Sequence, residues 1–239
     1  MTTPLFLEDA YMRDATATVT AITAEGGIVL DQTLFYATGG GQPGDCGQLS
    51  WDSGTIEIAT AIKGDGDAIV LVPAKPAPLP PVGAAVHQAL EWDRRHRMMR
   101  VHTALHLLSV VIPLPVTGGS IAADKGRLDF NMPDAPQDKA EIEDTLNKLI
   151  ACNFKVSEEW ITQAELDANP SLVKTMSVQP PRGAGQIRLI RIGAGENTAD
   201  LQPCGGTHVA HTGEIGTVRI GKIEKKGKQN RRVYIHLVT

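Results

Sequence analysis

The sequence is short of aromatic residues, cysteines and long apolar runs, and each shortage excludes a class of protein. Phe, Trp and Tyr make up 4% of its 239 residues, too few for a surface that reads single-stranded bases by stacking. The three cysteines, Cys46, Cys152 and Cys204, are too few for a secreted disulfide framework and indicate a reducing compartment. The chain also lacks a basic leader and any apolar stretch of about 18 residues, so we expect a soluble cytoplasmic protein.

Positive charge is not in excess either, because the formal net charge is -4 at pH 7. Any contact with nucleic acid must therefore come from a local basic patch. What the chain does have is 42% hydrophobic residues, together with 24 glycines and 15 prolines. This composition predicts aliphatic cores joined by many turns, in one large domain or two small ones.

The first 72 residues predict a compact all-β unit, a small barrel. Runs rich in β-branched residues alternate with glycines and turn residues, and they cover residues 15–22, 28–30, 56–62 and 68–72. Residues 73–83 then hold five of the 15 prolines, which predicts an extended linker. We therefore predict two domains, 1–83 and 84–239.

A glycine-rich loop lies inside the predicted barrel, at residues 39–47. Gly39, Gly41 and Gly44 match the dinucleotide-binding pattern GxGxxG, but that pattern must open a helix. Here a strand-like segment at 49–51 follows instead. Two interpretations remain: a connection that needs positive φ angles, or a loop whose backbone amides face a ligand.

The periodicity changes to helical after residue 92. Apolar residues recur at helical spacing until Pro113, at Met98, Val101, Leu105, Leu108 and Ile112. Further on we predict a loop at 117–120, a strand at 126–131, helices at 136–151 and 163–168, a strand at 187–192 and a hairpin over 215–238. Strands and helices mix without strict alternation, which predicts an α+β fold.

His102 and His106 lie four residues apart on the predicted helix, so both imidazoles project from one face and could hold one metal ion. Taken alone, the pair could equally be two buried side chains with hydrogen-bond partners. Cys204 and His208 follow later, separated by Gly205, Gly206 and Thr207, which allows a tight turn. Together the four residues form a Cys/His3 set that suits zinc.

Three further points bear on this set of ligands. His211 is the main rival ligand, because it follows His208 by three residues. A zinc protease is excluded, since the HExxH signature needs a Glu where this chain has Thr103. Four protein ligands also close the coordination, so that ordinary zinc-hydroxide chemistry would require a ligand to leave or the coordination to expand.

The two half-motifs, 102–106 and 204–208, resemble the paired zinc motifs of the alanyl-tRNA synthetase editing domain and of its free-standing relatives, the AlaX family. The related second domain of threonyl-tRNA synthetases shares this architecture. The resemblance extends through residues 126–130, 213–216 and 225–232, and the loop at 39–45 resembles that of the medium-length AlaX group, which has an N-terminal β domain. No aminoacylation domain fits ahead of residue 1, so we expect a free-standing editing protein.

The resemblance implies hydrolysis of the ester bond in mischarged tRNA(Ala), chiefly Ser-tRNA(Ala) and secondly Gly-tRNA(Ala). A pocket sized for alanine cannot exclude glycine and rejects serine only modestly, so a second site is needed. Thr117 is the first candidate to bind the serine hydroxyl and Ser120 the next, although both could be turn residues bonded to local backbone. The amides of Gly40 and Gly41 are candidates to stabilise the oxyanion.

For the mechanism we expect one Zn2+, held by His102, His106, Cys204 and His208, to position the tRNA end and polarise the ester or a water molecule. The sequence offers no convincing general base, so attack assisted by the terminal ribose hydroxyl is a reasonable hypothesis. Two alternatives remain: a non-catalytic zinc module that binds tRNA or a protein, and a metallohydrolase that acts on another small ester or amide.

Two basic runs are candidates for phosphate contacts. The first choice is the C-terminal run, in which Lys222 precedes the five residues predicted to bind tRNA, Lys225, Lys226, Lys228, Arg231 and Arg232. The second choice is the arginine run on the helix, Arg94, Arg95, Arg97 and Arg100. Either run could instead be a solvated face.

Overall fold

The computed structural model describes residues 1–134, 138–174 and 185–238, and it contains two compact units, Met1–His96 and Arg97–Thr239. This division falls later than the predicted boundary at residue 83, because the strand Ala85–Leu90 belongs to the barrel of the first unit. In the described ranges, every helix is too short or too polar to cross a membrane. The predicted α+β class, with a barrel in the N-terminal region, is confirmed.

The strands of the first unit are β1 Thr3–Pro4, β2 Asp14–Ile22, β3 Ile28–Leu30, β4 Gln32–Thr33, β5 Gly47–Trp51, β6 Gly54–Lys63, β7 Ile69–Pro73 and β8 Ala85–Leu90. Six of them form a closed barrel in the order β2-β3-β7-β6-β5-β8, while β1 and β4 pair with each other. Alternate residues of β6, such as Ile56 and Ile58, are buried while Glu57 between them is exposed. Because side chains alternate along a strand, every second residue faces the barrel core.

The second unit combines helices with two antiparallel sheets. The helices are α1 Trp92–Val111, whose first residues belong to the first unit, α2 Lys139–Ala151 and α3 Gln163–Ala168. The strands are β9 Val116–Ile121, β10 Lys125–Asn131, β11 Val156–Thr162, β12 Gln186–Ile192, β13 Asp200–Pro203, β14 Val218–Lys226 and β15 Asn230–Leu237. One sheet has the order β14-β15-β10-β9 and the other β11-β12-β13.

Helix α1 confirms the predicted apolar stripe, because Met98, Val101, Leu105 and Leu108 are all 3% exposed or less. Strand β10 lies close against this stripe at Gly126. A Cβ atom at Gly126 would come within 2.6 Å of Val101 Cγ1 and 2.9 Å of Leu105 Cδ1, closer than real Cβ contacts. Glycine is therefore required there by the close approach of strand and helix.

One predicted loop is wrong. Residues 117–120 were predicted as a turn because of Gly118 and Gly119, but they lie in β9. Pairing with β10 overrides the low strand propensity of glycine. The glycines also fit the space, because a Cβ atom at Gly119 would lie 3.1 Å from Leu128 Cδ2 on the neighbouring strand.

The second helix, α2, begins at Lys139, and the side chain of Asp138 caps it by accepting from the amides of Ala140 and Glu141 at 2.8 and 3.3 Å. The predicted start at residue 136 lies outside the described residues. Strands β11 and β13 were not predicted. Strand β11 is half-buried or exposed throughout and carries two adjacent glutamates, and in β13 the buried positions are the polar residues Asp200 and Gln202, so that no apolar run marks either strand.

Candidate metal centre

The structure brings together the four residues predicted to bind a metal ion. The ligand atoms of His102, His106, Cys204 and His208 all lie within 4.8 Å of one another. Cys204 Sγ is 3.4 Å from His102 Nε2 and 3.3 Å from His208 Nε2. Thiolate and imidazole ligands of a tetrahedral zinc ion lie about 3.5 Å apart, given the usual bond lengths. The donor set and its spacing therefore fit a four-coordinate metal ion.

Thr103 fixes the orientation of His208. Its hydroxyl lies 3.0 Å from the carbonyl oxygen of Met99 and donates to it. The same oxygen lies 3.1 Å from His208 Nδ1, so it accepts the Nδ1 proton and leaves Nε2 free to bind a metal. Thr103, which occupies the position of the glutamate in the HExxH signature, thus positions a metal ligand.

Asp200 does the same for His106, whose Nδ1 lies 3.0 Å from Asp200 Oδ2. Burial lowers the pKa of His106, but the hydrogen bond and charge of Asp200, with those of Cys204, outweigh it and raise the pKa to about 9. Asp200 thus favours positive charge at His106, and a metal ion bound at Nε2 supplies such a charge in place of the proton.

The remaining protonation states also suit a metal. Burial raises the pKa of Cys204, but the nearby imidazoles, above all His102 and His208, lower it well below the ordinary value for a thiol. Burial and the charge of His102 lower the pKa of His208 well below its ordinary range. A thiolate and a neutral imidazole are the forms that bind metal ions.

Arg188 braces the turn that carries Cys204. Its guanidinium donates to the carbonyl oxygens of Cys204 at 3.0 Å and Gly206 at 2.8 Å, and its own carbonyl oxygen accepts from the Cys204 amide at 3.1 Å. It also forms an ion pair with Glu158 and is 7% exposed. The sequence signal for this role is a charged residue within a mostly apolar strand, β12.

His211 lies outside the four-residue cluster. It is exposed and stands at the N-terminus of a short 3-10 helix, Thr212–Ile215, where its backbone amide donates to Glu214 Oε1 at 3.0 Å. Its predicted role as a rival ligand therefore finds no support in the cluster.

Thr117 and Ser120 are half-buried residues of β9. The Thr117 hydroxyl donates to the carbonyl oxygen of Asp129 on the neighbouring strand β10 at 3.1 Å, so its partner is backbone, as in the alternative to substrate binding, but across the sheet rather than within a turn. Recognition of serine by either residue stays a prediction.

The glycine loop lies in the first unit. Gly40 and Gly41 have φ angles of 57° and 83°, and Gly39 and Gln42 exchange backbone hydrogen bonds of 3.0 and 2.9 Å. The expected need for positive φ is confirmed. Contacts of the Gly40 and Gly41 amides with an oxyanion stay a prediction.

The arginine run on α1 is engaged within the protein. Arg95 is 1% exposed and binds Asp45, Arg94 donates to the carbonyl oxygen of Gly44 at 3.0 Å, and Arg97 pairs with Asp124. Arg100 donates to the carbonyl oxygen of Ile215 at 3.0 and 2.8 Å. These bonds give the run a structural role, which weakens its candidacy as a phosphate-binding patch.

The C-terminal run divides into two groups. Lys225, Lys226 and Lys228 are exposed around the β14–β15 turn. Arg231 donates to the carbonyl oxygen of Pro133 at 2.9 Å, and Arg232 forms bonds of 2.7 and 2.9 Å with the carboxylate of Asp129. The lysines are therefore the more accessible part of the predicted tRNA-binding set.

Replacing Asp129 with Asn is expected to lower the free energy of unfolding by about 2 kcal/mol at pH 7, because two charge-assisted hydrogen-bond partners lose their acceptor. Burial raises the pKa of Asp129, but hydrogen bonds from Arg232 and Arg127 outweigh it and lower the pKa below its ordinary value of 3.8. A lowered folded-state pKa stabilises the protein above the unfolded-state pKa, and this stabilisation disappears as pH falls through the folded-state value.

Urea unfolding at pH 7 and at decreasing pH below about 4 tests this expectation. The difference between the wild type and Asp129→Asn should shrink across that acidic range. The exposed Asp144, replaced by Asn, serves as the control and should change stability little at either pH. A difference that is constant with pH would contradict the expectation.

Two family models match the chain. The model described as "Threonyl and Alanyl tRNA synthetase second additional domain" covers residues 187–234, which include Cys204 and His208. The model described as "tRNA synthetases class II (A)" covers residues 8–94, most of the first unit. The two matches thus fall in different units of the chain.

Curated relatives match the chain over its whole length. An alanyl-tRNA editing protein AlaX-M of Methanosarcina acetivorans is 35% identical over 100% of both chains, and its counterpart in Methanosarcina mazei is 34% identical over 100% of this chain and 97% of its own. The alanine–tRNA ligase of Pyrobaculum arsenaticum is 34% identical over 94% of this chain but only 25% of the ligase. With full-length similarity at this level and a complete Cys/His3 cluster, the chain belongs to the AlaX-M family of alanyl-tRNA editing proteins.

Proposed function

We propose that the protein hydrolyses the ester bond of mischarged tRNA(Ala), with Ser-tRNA(Ala) as its main substrate and Gly-tRNA(Ala) as the second. The observation that carries this proposal is the buried cluster of His102, His106, Cys204 and His208 in a chain that is similar to AlaX-M proteins from end to end. A protein that edits alanyl-tRNA is an aminoacyl-tRNA deacylase, and tRNA(Ala) is therefore the partner.

The proposed metal is one zinc ion per chain. One thiolate and three imidazoles form a borderline-soft, four-coordinate set, which suits zinc better than the oxygen-preferring magnesium or calcium. When bound, zinc supplies a Lewis acid that can orient and polarise an acyl or hydroxyl oxygen of the tRNA end. Thr103 and Asp200 hold two of its ligands in the required tautomers.

In this proposal the protein selects against alanine by leaving polar groups unpaired. A hydroxyl that binds the serine side chain, with Thr117 as the first candidate and Ser120 as the second, would lose its partner when alanine is bound. The backbone amides of Gly40 and Gly41 are proposed to stabilise the oxyanion of the tetrahedral intermediate. The terminal ribose hydroxyl of the tRNA is proposed to assist the attacking water.

A deacylation assay with three substrates tests the proposal. Purified protein is incubated with Ser-tRNA(Ala), Gly-tRNA(Ala) and Ala-tRNA(Ala), with and without a chelator. We expect rapid loss of serine, slower loss of glycine, little loss of alanine, and inhibition by the chelator. Binding of tRNA without turnover would indicate a non-catalytic zinc module, and cleavage of small esters or amides without cleavage of any aminoacyl-tRNA would indicate a different metallohydrolase.

The exposed lysines of the β14–β15 turn are proposed as the tRNA footprint. Reversing the charge of Lys225 and Lys226 to Glu should weaken tRNA binding roughly tenfold and lower the slope of log affinity against log salt by about one for each lost phosphate contact. Filter binding at several salt concentrations measures both quantities.

The control for this test is a pair of exposed lysines outside the run, Lys148 and Lys155, replaced in the same way. This control changes the net charge by the same amount, but at a different place on the surface. If the Lys225 and Lys226 variant kept both the affinity and the salt slope of the wild type, this surface would not be the footprint.

A further inference from the structure

Asp200 is a fully buried carboxylate beside the metal cluster, and it has three hydrogen-bond donors. His106 Nδ1 lies 3.0 Å and Gln202 Nε2 lies 2.7 Å from its Oδ2 atom. Lys174 Nζ lies 2.5 Å from its Oδ1 atom, and the Asp200 side chain is 0% exposed. Burial of a carboxylate is costly unless it is paired, so these donors are what makes the position tolerable.

The geometry determines which nitrogen of His106 is free. Gln202 Nε2 can only donate, so it could bond to His106 Nδ1, 3.1 Å away, only if that nitrogen carried no proton. Asp200 Oδ2 can only accept, however, so its hydrogen bond with His106 requires the proton on Nδ1, and Gln202 Nε2 then has Asp200 Oδ2 as its acceptor. Both groups thus donate to the same carboxylate oxygen of Asp200. Because Nδ1 carries this proton, Nε2 keeps its lone pair and is the nitrogen available to bind a metal ion.

Lys174 connects this buried group to a second element. Its side chain binds Asp200, and its backbone carbonyl oxygen accepts from the amide of Val116 at 3.0 Å. Val116 is the first residue of β9, next to Thr117. A single residue thus bonds to the partner of a metal ligand and to the strand that carries the proposed serine-binding residue.

Lys174 is the only full positive charge among the three donors, since Gln202 is neutral and His106 holds its charge only through a proton or a metal ion. Its side chain is 29% exposed, less buried than that of Asp200, and the ammonium group reaches into the interior to meet the carboxylate. Removing that charge would leave the buried carboxylate without its permanent counter-ion, which favours rotation of Asp200 away from His106.

We propose that Asp200 is a positioning residue for the metal ligand His106, and that Lys174 holds Asp200 in place and thereby links the metal centre to β9. The effect on the metal does not depend on the substrate. The functional meaning of the link to β9 rests on the proposed function, in which Thr117 binds the serine hydroxyl. There, the link would hold Thr117 at a fixed distance from the metal ligand His106.

A double-mutant cycle on the full chain tests the inference. Zinc affinity of the wild type, Asp200→Asn, Lys174→Met and the double variant is measured by competition with a chromophoric chelator, in the absence of tRNA. Loss of an outer partner of a metal-bound histidine typically weakens metal binding by about 10- to 100-fold, and we expect this for Asp200→Asn. Lys174→Met should weaken zinc binding less, and the double variant should resemble Asp200→Asn alone, because Lys174 acts through Asp200.

Two further readouts separate positioning from a general loss of structure. Lys174→Arg keeps the charge and should retain most of the zinc affinity, whereas Lys155→Met removes an exposed positive charge elsewhere and should change nothing. In zinc-loaded wild type, nitrogen NMR should show a protonated Nδ1 and a metal-bound Nε2 for His106, and the Nδ1 resonance should shift in Asp200→Asn. If Asp200→Asn does not fold, the contrast between Lys174→Met and Lys174→Arg decides the question.

Unchanged zinc affinity in a folded Asp200→Asn protein would overturn the inference. So would a loss of zinc affinity in the double variant equal to the product of the fold losses in the two single variants. Equal zinc affinity of the Lys174→Met and Lys174→Arg variants would overturn the role of Lys174. These outcomes are independent of the deacylation assay. A protein that binds zinc as expected but cleaves no aminoacyl-tRNA would contradict the proposed function and leave this inference standing.

Discussion

Replacing Cys204 with Ala is expected to weaken zinc binding by roughly a hundredfold or more, since a structural zinc site contributes about 10–16 kcal/mol over four ligands. Deacylation of Ser-tRNA(Ala) should fall with it when free zinc is limiting. The thiolate is the one anionic ligand of the set, so its loss also removes the negative charge that would lie closest to the metal ion. Zinc content by elemental analysis and the initial rate of deacylation measure the two effects.

The chain offers a matched control in Cys152, which is exposed and whose thiol donates to the carbonyl oxygen of Lys148 at 3.3 Å. Cys152→Ala should keep both zinc and activity. His106→Ala should reproduce the loss seen with Cys204→Ala. A folded Cys204→Ala protein with full activity would contradict the zinc-centred mechanism.

Replacing Asp45 with Asn is expected to lower the free energy of unfolding of the first unit by about 3–5 kcal/mol, the usual cost of leaving one partner of a buried ion pair unpaired. Arg95 and Asp45 are both 1% exposed. Asp45 also accepts from the Tyr36 amide at 2.6 Å, and Arg95 also donates to the carbonyl oxygens of Ala10 at 3.1 Å and Leu34 at 2.7 Å. An amide in place of the carboxylate would leave the guanidinium as a buried, uncompensated charge.

Thermal and denaturant unfolding measure this loss, with a fluorescence probe in the first unit because the two units need not unfold together. The control is Asp14→Asn, which breaks the exposed pair of Asp14 and His87, whose side chains are 66% and 50% exposed. That change should cost no more than about 1 kcal/mol. If both substitutions lowered the free energy of unfolding by a similar amount, burial would not explain the contribution of the Arg95–Asp45 ion pair to stability.

The barrel and helix α1 could be predicted from the sequence because the spacing of apolar residues within each segment indicates its secondary structure. The burial of Met98, Val101 and Leu105 follows from their helical spacing, and the alternation of β6 follows from a period of two. The metal cluster was also predictable, because its two halves each have a ligand spacing that only a helix or a glycine turn satisfies.

The partners of the metal ligands could not be predicted in the same way. Asp200 lies 94 residues from His106, and Arg188 lies 16 residues from Cys204, with no spacing that relates either pair. Their roles depend on how β12 and β13 are placed beside α1, which is a tertiary property. Arg95 shows the same limit, because the sequence does not distinguish a buried arginine from the other basic residues of the run 94–100, and its burial became visible only in the structure.

Gly126 gives the metal centre a sensitivity that lies outside its coordination sphere. The two side chains that a methyl group at this position would strike, Val101 and Leu105, are the immediate neighbours of His102 and His106 on α1. Because a Cβ atom there would lie 2.6 Å from Val101 Cγ1, these side chains or the backbone that carries them would have to shift, and metal–ligand distances tolerate changes of only about 0.2 Å. The absence of a side chain at Gly126 therefore helps to keep the segment of α1 that carries both histidines in place.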